Sequence, residues 1–279
     1  MAVTFHAQSL GTKYVLDAAA LGRVREVLGA GGLVVYPTDT VYGLAADPFQ
    51  PSAVERLYRA KARPFDQPLS IAVAEVADVF RFGATSQIAE AFCAKNLPGP
   101  FTIVLRATEA APRPVVSKEG RIAMRVPAHP ISRLLAKACG PITATSANRH
   151  GQPAPVTCPE ARDQLGDGVD VYVDGGPTPL GGESTIVDLS GARPQILRQG
   201  VLARGACVDG RVGPGSPDFG RPSLSRRTGA SRRTDAGWRV ASGRRRRGGV
   251  AHAKARTRAR IPYMHLDRPH RGALFSDPR

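Results

Sequence analysis

The chain has 279 residues, with 39 Lys+Arg against 23 Asp+Glu and a net charge of +16, enough length for one large α/β domain or two smaller ones around a sizeable core. The charge is concentrated: residues 207–279 hold 18 basic and 5 acidic groups, so the high isoelectric point describes that segment and not the first 206 residues. Cys93, Cys139, Cys158 and Cys207 lack CxxC spacing, the amino terminus lacks a basic n-region before an apolar core, and no apolar run reaches membrane-spanning length; disulfides, structural zinc and a membrane-spanning helix are not expected, and a soluble cytoplasmic protein is.

In chain order, Asp17 precedes Ala18–Leu21, Val24, Val27 and Leu28, helical spacing behind an N-cap, closed by Gly29, Gly31 and Gly32. The apolar run Leu33–Tyr36 reads as a buried strand. It ends in Pro37-Thr38-Asp39-Thr40-Val41-Tyr42-Gly43-Leu44, where two threonines, a carboxylate, a phenol and a glycine follow a proline. At the carboxyl end of a strand in an open α/β sheet, such a turn is placed to grip a ligand; the same residues also form ordinary loops for backbone reasons.

Ser52 is the expected cap of a second helix, bearing Val54, Leu57 and Tyr58 on one face and ended by Pro64. Leu69–Val73 reads as a strand, followed by helical segments near Val76–Phe82 and Ser86–Lys95, then a strong strand at Phe101–Leu105. Arg121–Val126 alternates basic and apolar positions, a strand with its arginines on one face. A helix from Pro130 to Gly140, a strand Ile142–Thr145, a helix near Glu160–Leu165, a strand Val169–Val173 and two closing strands, Ser184–Asp188 and Gln195–Arg198, complete an α/β domain over residues 1–206.

Past Cys207, glycine, proline, serine and arginine dominate, and Arg244–Arg247 form a block. That composition cannot offset the entropy of ordering, so residues 207–279 are expected to be a disordered basic tail. It reads either as an arm for nucleic acid or as a solvated extension without a role, such as a frame-shifted end. Arginines set among glycines without interleaved aromatics favour the second.

Several groups carry chemistry. Lys61 and Arg63, two residues apart beyond a helix end, can meet one ligand if Pro64 keeps the backbone extended, and two cations beside a strand end suit a triphosphate. Arg125 and Arg198 each end an apolar strand, a costly place for a cation. Thr145-Ser146-Ala147-Asn148 offers hydroxyl and carboxamide groups at a strand end, suited to a ribose, phosphate or amino-acid carboxylate, and equally to a turn or cap. There is no GxxxxGK[ST] loop, so nucleotide binding does not follow from that signature.

Pro37–Leu44, Lys61-Ala62-Arg63-Pro64, Pro98-Gly99-Pro100, Arg125-Val126-Pro127, Ser146-Ala147-Asn148, Ser184–Asp188 and Leu197-Arg198-Gln199-Gly200 together resemble the YrdC/Sua5 family of threonylcarbamoyl-AMP synthases, in order and at family spacing across about residues 13–203. The resemblance implies a twisted, open mixed sheet of about seven strands with helices on its faces, whose concave basic face holds ATP, L-threonine and bicarbonate. It implies synthesis of L-threonylcarbamoyl-AMP and pyrophosphate, the first step of the N6-threonylcarbamoyl modification of tRNA adenosine 37, with a partner transferase completing the modification. Carried onto this chain, Thr38, Arg125 and Ser184 would grip threonine with the backbone at Ala144. Lys61, Arg63, Arg121, Ser146, Asn148 and Arg198 would line the ATP side, Lys61 and Arg63 serving catalysis. Mg2+ would bridge the phosphates, with no protein ligand for it evident among Asp39, Asp174 and Asp188. Leu97 stands where many relatives carry an aromatic, and nothing past Ala203 reads as the second domain of the longer members.

With no covalent nucleophile evident, such chemistry rests on positioning and on charge stabilisation of the phosphoryl transition state. The rivals are a non-catalytic module of the same fold holding double-stranded RNA or tRNA by its phosphates, weak contact with either being expected of any such basic face, and the carbamoyl-transferring domain of hydrogenase maturation proteins, which comes with acylphosphatase and zinc-finger segments not found here.

Overall fold

Three short strands precede the first helix: β1 (Val3–His6), β2 (Gln8–Leu10) and β3 (Lys13–Val15). None is visible in the sequence pattern, because β1 is a sheet edge covered only partly on either face and shows no apolar alternation. The computed structural model describes residues 2–10, 13–65 and 67–201; the expected domain limit at residue 206 and the tail 207–279 lie outside the described residues.

Helix α1 (Ala18–Gly29) begins as the sequence predicts, the Asp17 carboxylate accepting from the Ala20 amide at 2.7 Å. Strands β4 (Val34–Tyr36) and β5 (Gly43–Ala45) pair antiparallel, so Pro37–Tyr42 is a hairpin connection, buried throughout. Helix α2 (Pro51–Lys61) differs from expectation at both ends. Proline, preorganised for the first helical position, opens it, and Ser52 lies inside rather than capping. Ala62 in a left-handed conformation (φ 50°) closes it two residues before Pro64 can act.

The chain continues through β6 (Ser70–Ala72), α3 (Val76–Phe82), α4 (Gln87–Asn96), β7 (Phe101–Arg106), β8 (Arg121–Arg125) and α5 (Pro130–Cys139). The strand expected over Ile142–Thr145 is two: β9 (Ile142–Thr143) and β10 (Thr145–Ser146). Helix α6 (Cys158–Leu165) and strands β11 (Val171–Asp174), β12 (Thr185–Asp188) and β13 (Gln195–Arg198) follow.

The mixed α/β class holds, but the strands form two mixed sheets rather than one. The five-stranded sheet runs β1-β11-β4-β5-β10 and the six-stranded sheet β13-β12-β7-β8-β6-β9, with β2 and β3 making a separate ribbon. Ala144 is where the chain crosses between them: β9 pairs with β6 in one sheet, β10 with β5 in the other. Alternation distributes side chains accordingly. Leu33, Val35 and Tyr172 join Ile71, Ile103, Leu105, Ile122 and Met124 in the main core, whereas Val34, Tyr36, Val171 and Val173 turn to the second core under α1 and α5.

Helix α5 is capped by His129, whose Nδ1 accepts from the Ile131 amide at 3.2 Å while its ring lies 4.6 Å from that of Tyr14. Burial lowers its pKa from 6.5 to about 4. Between those values the unfolded chain binds the extra proton, so the contribution to stability is complete above pH 6.5 and is lost as pH falls through about 4. Acid titration of the melting temperature should show a loss of about 3 kcal/mol over that window, absent in His129→Asn, which keeps a capping acceptor but does not titrate. Equal acid sensitivity in both proteins would rule out His129 as the source.

Among the described residues no helix is long and apolar enough to cross a membrane.

Candidate active site

Residues of β7, β8 and β12 that point away from the main core line a cleft of about 430 Å³: Thr102 and Val104, Ala123 and Arg125, and Ile186. The cleft is completed by Thr40 and Val41 of the hairpin, Lys61 and Arg63 at the end of α2, Ser70 and Ala144 at the crossing between sheets, Ser146 at the end of β10 and Asn148 after it, and Glu183, Ser184 and Arg198. The volume suits a small-molecule ligand.

Arg125 is 5% exposed and doubly held, donating from one terminal nitrogen to Asp39 Oδ1 at 2.7 Å and from the other to Thr40 Oγ1 at 2.8 Å. Arg198 donates to the Ser184 carbonyl at 3.0 Å and pairs with Glu183 at 3.0 Å, and Ser184 Oγ lies 2.9 Å from Thr102 Oγ1. Arg63 donates to Thr145 Oγ1 at 3.1 Å and to the Pro68 carbonyl at 3.0 Å. The Nε atoms of Arg63, Arg125 and Arg198 are buried and find no partner among the described residues. Three guanidinium groups around one cleft make it suited to an anion.

Lys61 departs from expectation. A solvated cation would suit a triphosphate directly, but Lys61 is only 2% exposed. Its ammonium donates to the Ser146 carbonyl, to the Asn148 carbonyl at 2.6 Å and to Asn148 Oδ1 at 3.0 Å. Burial first and the Arg63 charge second pull its pKa down to about 7, against Glu183. Three acceptors for three hydrogens oppose that fall and favour the charged form at neutral pH. Lys61 thus organises the Ser146–Asn148 turn as well as charging the cleft. Ala62 stands left-handed between Lys61 and Arg63, and both residues line the cleft.

The structure therefore brings together Lys61, Arg63, Arg125, Ala144, Ser146, Asn148, Ser184 and Arg198. Two of the expected residues stand apart from the lining. Thr38 Oγ1 is spent inside the hairpin, donating to the Val41 carbonyl at 2.6 Å and accepting from the Thr40 amide at 3.0 Å, and it lies 2.9 Å from Thr40 Oγ1, which in turn accepts from Arg125. Arg121 shares a strand face with Arg125, but four residues of strand carry it about 13 Å away, and it pairs with Asp188 at 2.9 Å. Sequence reasoning missed Thr102 and Ser70; alternation along β7 and β6 carries the signal for both.

A two-sheet α/β fold with a cation-lined cleft against the six-stranded sheet is suited to binding a small anion. Residues 26–200 match the Sua5/YciO/YrdC domain profile, described as telomere recombination, and the chain belongs to this family. A Pyrococcus abyssi threonylcarbamoyl-AMP synthase is 38% identical over 186 residues, spanning 66% of this chain and 53% of that protein. A Vibrio campbellii threonylcarbamoyl-AMP synthase is 32% identical over 182 residues, spanning 64% of this chain and 97% of the relative. Among solved structures, P. abyssi Sua5 complexed with L-threonine superposes with a TM-score of 0.66 at 32% identity, over 72% of this chain and 57% of that one. The chain thus spans little more than half of the Pyrococcus protein and nearly all of the Vibrio one.

Proposed function

We propose that this protein is an L-threonylcarbamoyl-AMP synthase. It condenses the threonine amine with bicarbonate to a carbamate, whose oxygen attacks the α-phosphorus of ATP; pyrophosphate leaves, and one water is released overall. The product would supply the first step of tRNA N6-threonylcarbamoyladenosine formation, a partner transferase completing it in the cytoplasm. The observation that carries this reading is the convergence of Lys61, Arg63, Arg125 and Arg198 on one cleft that also offers Ser146, Asn148 and Ser184. The threonine-bound relative and the names of the curated relatives support it.

In this reading Arg125, Ser184 and the Ala144 backbone receive threonine, and Thr38 acts by shaping the turn whose Thr40 hydroxyl holds Arg125. Arg63, Arg198, Ser146 and Asn148 face the nucleotide, with Lys61 fixing the last two; Arg121, outside the lining and paired with Asp188, has no direct part in this reading. Magnesium would arrive with the triphosphate and neutralise its charge. The residues contribute preorganised donors, worth most where charge develops on the transferring phosphoryl group.

Mass spectrometry after incubation with ATP, magnesium, L-threonine and bicarbonate tests the proposal. The expected product is threonylcarbamoyl-AMP, formed only when all three substrates are present. Absence of the adduct alongside salt-sensitive binding of double-stranded RNA would overturn it in favour of a binding module.

A further inference from the structure

We infer that Asp39, which does not line the cleft, is a positioning residue that aims Arg125 at the carboxylate of the amino-acid substrate. This rests on the reading that Arg125 receives threonine. Asp39 is 1% exposed and Arg125 5%, so each charge depends on the other for compensation. Of the five guanidinium N–H donors, one goes to Asp39 Oδ1 at 2.7 Å and one to Thr40 Oγ1 at 2.8 Å. The Nε–H is buried and has no partner among the described residues. Each terminal nitrogen keeps a second hydrogen and Arg125 lines the cleft, so the end of the fork remains to meet a carboxylate.

Asp39 can aim the guanidinium because its own backbone cannot move. Thr38 closes the turn around it through Val41 and Thr40, the Leu180 amide donates to the Asp39 carbonyl at 3.2 Å, and Ser132 of α5 donates to the Pro37 carbonyl at 2.7 Å. A long side chain that would otherwise sample many rotamers is held before substrate arrives, so ordering is not charged against binding.

Asp39→Asn keeps the shape and an acceptor while removing the charge. Titration calorimetry of the full chain should show the L-threonine Kd rising by about 10–100-fold, the range for loss of a group that orients a ligand-binding residue, with the Mg-ATP Kd unchanged within about threefold. In an Arg125→Lys background the same substitution should add less than about twofold, since Asp39 acts through the fork that lysine lacks. Should Asp39→Asn fail to fold, Asp39→Glu retains the charge, displaces it by one methylene, and is expected to show the same selective loss for threonine. The inference is overturned by a threonine Kd like wild type, by equal weakening of threonine and ATP, or by an effect that persists in full beside Arg125→Lys. Wild-type protein that binds no threonine overturns the functional reading and this inference together, whereas wild-type binding with an indifferent Asp39→Asn removes this inference alone.

Discussion

Lys61→Ala is expected to lose stability as well as activity, and Arg63→Ala activity alone. Removing Lys61 strips the donor from the Ser146 carbonyl, the Asn148 carbonyl and Asn148 Oδ1 together. Leaving buried acceptors unpaired should cost about 3 kcal/mol in all, which lowers the melting temperature of a domain this size by about 6–12 °C. Arg63 is half-buried, and its two acceptors, Thr145 Oγ1 and the Pro68 carbonyl, lie at the cleft rim. Its loss should lower kcat/KM for ATP by about 10–100-fold, the equivalent of one charge-assisted contact, with a melting temperature within about 3 °C of wild type. The pair is decided by thermal melts run beside ATP-dependence assays. If Lys61→Ala melts like wild type, the three carbonyl contacts do not hold the Ser146–Asn148 turn; if Arg63→Ala retains ATP kinetics, the cation does not face the nucleotide.

Arg125 should give the largest combined effect. Arg125→Ala leaves Asp39 as an uncompensated carboxylate at 1% exposure, a change expected to destabilise by about 3–5 kcal/mol. Arg125→Lys restores a positive charge to Asp39 but cannot present two parallel donors. The melting temperature should therefore recover most of the alanine loss, while threonine-dependent turnover stays depressed by about 100-fold or more, as expected when a site built to pair a substrate group can no longer do so. Recovery of both by lysine would mean that charge alone matters at this position; recovery of neither would mean that the Arg125–Asp39 pair serves the core and not the ligand.

Local signals made most helices legible. Asp17 and Ser86 cap α1 and α4 as their side chains suggest, and Pro130 opens α5. What escaped depends on partners distant in sequence. Gly43–Ala45 reads as the tail of a turn, and becomes a strand because β4 and β10 flank it. The run Ile142–Thr145 has one uninterrupted strand pattern, and nothing local says that its two halves pair in different sheets. The same division runs through the site. Arg125 could be found because a cation ending an apolar strand is costly, and alternation separates the two faces of β8. Thr38 and Thr40 sit two apart in an aperiodic turn, and only their hydrogen bonds show that Thr38 closes the turn while Thr40 holds Arg125.

The crossing at Ala144 has a mechanical consequence. Its amide donates to the Ser70 carbonyl at 2.7 Å and its carbonyl accepts from Ser70 Oγ at 3.0 Å, while one residue further the chain is already zipped to β5. A single-residue span therefore rivets two layers together at the floor of the cleft. Any shear of one layer over the other, such as repacking of Ile71 or Tyr172 would bring, is delivered undamped to Ala144 and to the Ser146 hydroxyl. The cleft acts as a strain gauge for the interior, so substitutions far from it should register first as altered ligand affinity and only later as lost stability.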